Sequence, residues 1–95
     1  MGVPEFHKVM LPLLRLTADG KQHSLADAVE RLAVEFALSD PEKNELLKTG
    51  GTRLYNRVGW GRTYLVKAGL LEAVGPGRFQ ITDGGRDCLL ILRPK

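Results

Sequence analysis

The residues with the most chemistry to offer stand between Lys48 and Leu71. This stretch holds five bases, Lys48, Arg53, Arg57, Arg62 and Lys67, and no acid. Asn56, Trp60, Thr63 and Tyr64 lie among them and bring hydrogen-bonding and stacking groups. The charge of the whole chain is uneven in the same sense. Residues 1–46 carry eight acids and five bases, and residues 47–95 carry nine bases and three acids. The net charge of +3 hides that division. A polyanion is drawn to the second half. A solvated basic face accounts for the charge alone equally well.

Catalytic groupings are weaker. Asp19-Gly20-Lys21 spells D-x-K, but no Pro-Asp precedes it and it falls in a helix-ending turn. Glu42 and Glu45 are three apart on a short helix and read as a solvated face rather than a metal pair. His7 and His23 lack neighbours at ligand spacing and read as structural or surface residues. The single Cys88 reads as part of the core of the last helix and rules out an internal disulfide. Ser24 and Thr82 read as helix caps, since no His–Asp pair is placed to activate either one. No catalytic residue, metal or cofactor is expected. No apolar run approaches the ~18 residues of a membrane span, and the first residues lack a secretory signal. The reading is therefore a cytoplasmic protein that binds no membrane.

The elements that must position these residues can be read in order. Pro4 opens a helix in which Phe6, Val9, Met10, Leu13, Leu14 and Leu16 recur at helical spacing; Pro12 should kink or divide it. Asp19-Gly20 ends it, and Lys21-Gln22-His23 is a short edge strand. Ser24, with Asp27 three residues on, starts a second helix with Leu25, Ala28, Val29, Leu32, Ala33 and Phe36 inward. Ser39-Asp40-Pro41-Glu42 starts a short third, from Pro41 to about Leu47. Thr52 caps a longer one from Arg53 to Ala68, and Gly69 ends it. Leu70–Val74 and Arg78–Ile81 form a hairpin around Gly75-Pro76-Gly77. Thr82-Asp83 opens a last helix to about Leu92, with Cys88, Leu89 and Ile91 inward. Residues 3–92 make one folded domain spanning the chain 1–95, and residues 93–95 begin a linker.

At about 100° per residue, Leu54, Val58, Gly61, Leu65 and Ala68 share one arc of the Arg53–Ala68 helix, and that arc is core. Arg53, Asn56, Arg57, Trp60, Thr63, Tyr64 and Lys67 gather on another side, and Arg62 lies apart from both. Gly59 and Gly61 leave room for a break. Trp60 and Tyr64, one turn apart on the basic side, offer two readings: stacking against a sugar or an unpaired, flipped base, or packing against a neighbouring helix. Packing is the stronger expectation for Trp60, and Tyr64 stays open between the two; Arg57 and Arg78 are expected to be exposed.

Helices followed by a two-stranded hairpin make a mainly α chain with a small β-hairpin, the winged helix-turn-helix. In that arrangement the helix before the hairpin enters the DNA major groove. Arg53, Asn56, Arg57, Arg62, Thr63, Tyr64 and Lys67 are then the nucleic-acid-binding candidates on the helix. Arg78, beside the hairpin tip, would meet phosphate or the minor groove.

The stretches Tyr64–Leu71 and Phe79–Arg86 look like the helix–wing–helix end of many winged-helix proteins. Asn56-Arg57-Val58-Gly59-Trp60-Gly61-Arg62-Thr63-Tyr64-Leu65 is a sharper match. Together with Met10–Leu16, Asp19-Gly20 and His23-Ser24, it resembles the amino-terminal domain of Mrr-type, methylation-dependent restriction endonucleases. The resemblance runs from about Val3 to Leu90, with Gly61 where Ala is commoner. It implies a winged helix that binds double-stranded DNA. It also implies that cutting of methylated DNA belongs to a separate carboxy-terminal PD-(D/E)xK nuclease domain, which this chain lacks. A homo-oligomer is compatible with it. The other reading is a free-standing winged-helix regulator or protein-interaction domain.

Overall fold

A computed structural model of the chain describes residues 6–48 and 50–91. The elements, in order, are α1 (Phe6–Leu16), a 3₁₀ turn (Thr17–Asp19), β1 (His23–Ser24), α2 (Leu25–Glu35), α3 (Asp40–Lys43), α4 (Arg53–Lys67), β2 (Leu71–Gly75), β3 (Arg78–Ile81) and α5 (Asp83–Ile91). This is a winged helix, mainly α with a small antiparallel sheet. Among the described residues no helix is long and apolar enough to cross a membrane. The expected linker at 93–95, with Pro4 and Leu92, lies outside the described residues.

Local hydrogen bonds set most helix boundaries. The Ser24 hydroxyl accepts from the Asp27 backbone N–H at 3.1 Å, and the Thr52 hydroxyl from that of Tyr55 at 3.2 Å. Each satisfies one of the donors that a helix start leaves unpaired. At α3 the capping box is complete: Ser39 Oγ accepts from Glu42 N–H, and Glu42 Oε1 accepts from Ser39 N–H. At the far end of α4, Gly69 adopts φ +78°. Its N–H reaches Val66 O, and that of Leu70 reaches Leu65 O. Those paired bonds define a Schellman turn, which needs a left-handed residue after the cap.

Several boundaries differ from the sequence expectations. α1 runs unbroken through Pro12. α3 stops at Lys43 instead of Leu47, because the next backbone groups pair elsewhere. The Arg53 N–H bonds Glu45 O, Leu47 N–H bonds Gly51 O, and Leu46 bridges to Thr52. α4 is continuous through Gly59 and Gly61 but ends at Lys67, so Ala68 turns outward at the cap and is exposed. The hairpin begins one residue late, at Leu71, and carries a bulge at Val74.

The sheet order is β1-β3-β2. His23 pairs with Phe79 and Ser24 with Arg78, so the short strand before α2 completes the wing. The Leu25 N–H donates to Gly77 O at 2.8 Å and ties the start of α2 to the hairpin turn. Pro76 and Gly77 make that turn, with Gly77 at φ +67°, the left-handed state a type II turn demands at its third position.

The core joins Val9, Leu13 and Leu14 of α1, Leu25, Ala28, Leu32 and Ala33 of α2, Leu54, Val58 and Leu65 of α4, and Leu71, Phe79 and Ile81 of the sheet. α4 packs most extensively on α1 and also on α2. On α5, Cys88 and Leu89 pack against the core as expected. Ile91 does not; it is exposed together with Leu90. Gly85 lets α5 close on the sheet, since a Cβ there would run into the Leu70 carbonyl oxygen.

Candidate nucleic-acid interface

The candidate residues separate into groups according to what flanks α4. Leu54, Val58, Gly61 and Leu65 are buried and hold the helix to the core, as the wheel requires. Arg53 is ion-paired locally: its Nε lies 3.2 Å from Glu45 Oε1, close enough for charge attraction but not aligned as a hydrogen bond. The pairing follows from the loop closure that places Glu45 beside the helix start. Arg57 is half-buried, not exposed, and its Nε is covered without a hydrogen-bond partner among the described residues.

Arg62, which the helical wheel isolates, is brought into company by the fold. It lines two adjoining hollows together with Thr63. The first, of about 350 Å³, is further lined by Asn56, Trp60 and Tyr55, with Gly59 and Leu25. The second, of about 270 Å³, reaches Val66, Lys67 and Ala73 of the wing. From Tyr55 to Lys67 the two follow α4 for roughly 18 Å at the helical rise. The start of α2 and the wing strand β2 contribute to this trough. A single-helix projection cannot contain either.

Trp60 is half exposed, at 50%, and therefore does not pack inside. Its ring lies against Tyr64 with centroids 6.2 Å apart and planes tilted by 38°. The Thr63 hydroxyl donates to Gly59 O at 3.0 Å. Arg62, Lys67 and Arg78 have no acidic partner among the described residues, and Arg78 is exposed beside the wing turn. Tyr55, Gly59 and Leu25 escaped the sequence reading. Tyr55 and Arg62 are seven residues apart, so they lie within about 20° on the wheel, and that spacing was the available signal.

Asp19, His23, Glu42, Glu45 and Thr82 each make a structural contact. Asp19 Oδ1 is 2.9 Å from His23 Nε2 and accepts the Lys21 backbone N–H at the same distance. The His23 bond, then the Lys21 bond, hold the Asp19 carboxyl below the usual carboxylate range. His23 is buried at 5% exposure, and its other ring nitrogen faces Asp27 Oδ2 at 3.7 Å. Glu42 is lowered mainly by the Ser39 backbone N–H, while Glu45 faces Arg53, so the two glutamates serve separate contacts. Thr82 caps α5: its hydroxyl accepts from Gly85 N–H and donates to Gly69 O.

No solved structure matches the chain. It is 31% identical over 88 residues to the type IV methyl-directed restriction enzyme EcoKMrr of Escherichia coli (strain K12). The match covers 92% of this chain and 29% of that enzyme, so the chain spans less than a third of its relative's length. Residues 6–90 match the model of the Mrr N-terminal domain, and the chain belongs to that family.

Proposed function

We propose that this chain is a single DNA-binding domain, the recognition module of an Mrr-like restriction enzyme, with no catalysis of its own. The observation that carries the reading is the acid-free helix α4 lying directly before the wing. Its outer side presents Arg62 and Lys67, without acidic partners among the described residues, along a trough leading to the hairpin. Unpaired bases on an accessible helix are available to phosphate, and release of condensed counterions then drives association. Arg62, Thr63, Asn56 and Lys67 are the groove-facing set, with Tyr64 beside them, and Arg78 positions the wing on the backbone. Arg53 and Arg57 add positive field from half-buried positions.

The relative's description as methyl-directed supports methylated duplex DNA as the target class. Cleavage would then belong to a nuclease domain elsewhere in a longer parent protein acting in the cytoplasm, where a homo-oligomer could present two such modules. The test is fluorescence anisotropy with a labelled duplex across a salt series. Four to six phosphate contacts give a log–log slope of roughly −4 to −5. Affinity flat in salt overturns the reading in favour of protein interaction. No cleavage is expected in Mg²⁺.

A further inference from the structure

Gly59 stands in the middle of α4 with neither of the usual reasons for a glycine. Its φ is not positive, and an added Cβ would meet Leu25 Cδ2 at 3.8 Å, an ordinary contact. Its neighbour Gly61 is buried on the core side. A helix-interior glycine costs stability relative to alanine. Gly59 forms part of the wall of the larger of the two hollows, of about 350 Å³, where a longer side chain would take up space. That volume falls at the small end of the range of small-molecule pockets, roughly 300–1,000 Å³.

The lining has a specific chemistry. Trp60 and Tyr55 are aromatic and about half exposed, and Tyr64 backs the indole. The Asn56 amide offers a donor and an acceptor side by side, the pairing that a base edge presents. Thr63 has spent its hydroxyl proton on Gly59 O, which leaves its oxygen able to accept. Arg62 adds a positive charge on the rim of the same hollow. An aromatic surface, an edge-reading amide and a nearby cation are the groups that hold a base removed from its stack.

We propose that this hollow receives one unstacked nucleobase of the bound DNA, stacked on Trp60, read by Asn56 and flanked by a phosphate on Arg62. This rests on the DNA-binding reading above. Gly59 is then the residue that keeps the site open.

Trp60 is the single tryptophan of the chain, so intrinsic fluorescence reports on it alone. The experiment titrates the chain with a matched duplex and with the same duplex carrying one unpaired base, following anisotropy and tryptophan emission together. The bulged duplex should bind roughly tenfold tighter, as base–aromatic stacking implies, and should quench Trp60. Gly59→Leu, which fills the hollow, should erase that preference while matched-duplex binding persists. Asn56→Ala should reduce the preference without perturbing the helix, and it serves if the leucine variant does not fold. Equal affinity for the two duplexes with Trp60 unquenched overturns the proposal and leaves DNA binding standing. Retention of the preference in both variants also overturns it. Binding to neither duplex overturns both readings.

Discussion

α2 and α4 begin alike and end in different roles. Each starts from a hydroxyl cap, Ser24 or Thr52, and each buries one apolar face in the same core. Their outer faces differ. On α2, Asp27 pairs with Arg31 and Glu30 with Lys43, so among the described residues only Glu35 is left without an ionic partner, and the charge that remains on the helix is negative. On α4 there is no acid, the single pair of Arg53 with Glu45 lies at the first residue, and beyond it Arg62 and Lys67 stand without acidic partners among the described residues. Half-exposed aromatics and a mid-helix glycine add to the contrast. Free positive charge contributes nothing to a helix that only supports a fold, and it is the feature on which the DNA-binding proposal rests.

The comparison can be broken at its inner faces first, where the largest effects lie. Leu32 on α2 and Leu54 on α4 are both 1% exposed. Leu32→Ala and Leu54→Ala should each cost about 2–5 kcal/mol by lost burial and cavity formation. Denaturant melts should place the two within about 1 kcal/mol of each other. A markedly smaller loss at Leu54 would mean that α4 is held less firmly than α2 and is not a rigid reading element.

The outer faces give the sharper test. Arg62→Ala should weaken duplex binding by about 1–3 kcal/mol with little change in melting temperature. Arg31→Ala, on α2, should leave binding unchanged. Arg78→Ala should weaken all sequences about equally and lower the salt slope by about 1. If Arg31→Ala abolishes binding and Arg62→Ala does not, the DNA face lies on the opposite side of the molecule.

The smallest effect is acid sensitivity of the caps and turns around α2. Asp19 and Glu42 are held below the ordinary carboxylate range, by His23 and by the Ser39 backbone N–H respectively. A depressed folded-state pKa gives stability that is present above the unfolded value. That stability is lost as pH falls through the folded value. Melting temperature should therefore decline from about pH 4 downward. Asp19→Asn and Glu42→Gln should flatten the decline, as followed by circular dichroism. An identical decline in both variants would place the acid-labile contacts elsewhere.

Much of this was legible from local chemistry. Ser24, Ser39 and Thr52 cap helices through bonds spanning three residues, and Pro76-Gly77 makes its turn with two, so short stretches specify them. The inward arc of Leu54, Val58, Gly61 and Leu65 follows from helical period alone. The failures came where a residue's surroundings belong to distant segments. Trp60 was expected inside because a large indole usually finds cover. The fold places no cover over half of it. Ile91 was expected inward on period, but the last turn of α5 extends past the core. α3 was expected to reach Leu47, and the antiparallel bridge of Leu46 to Thr52 claims that backbone instead.

The sequence by itself determined a winged helix with an acid-free helix before its hairpin, because capping, periodicity and turn chemistry act over a few residues. The tertiary structure alone decided which of the basic residues are free. Loop closure placed Glu45 beside Arg53, packing half-buried Arg57, and the approach of Leu25 and Ala73 set Arg62 between two hollows. Charge on a helix is written in the chain, but its availability depends on neighbours many residues away.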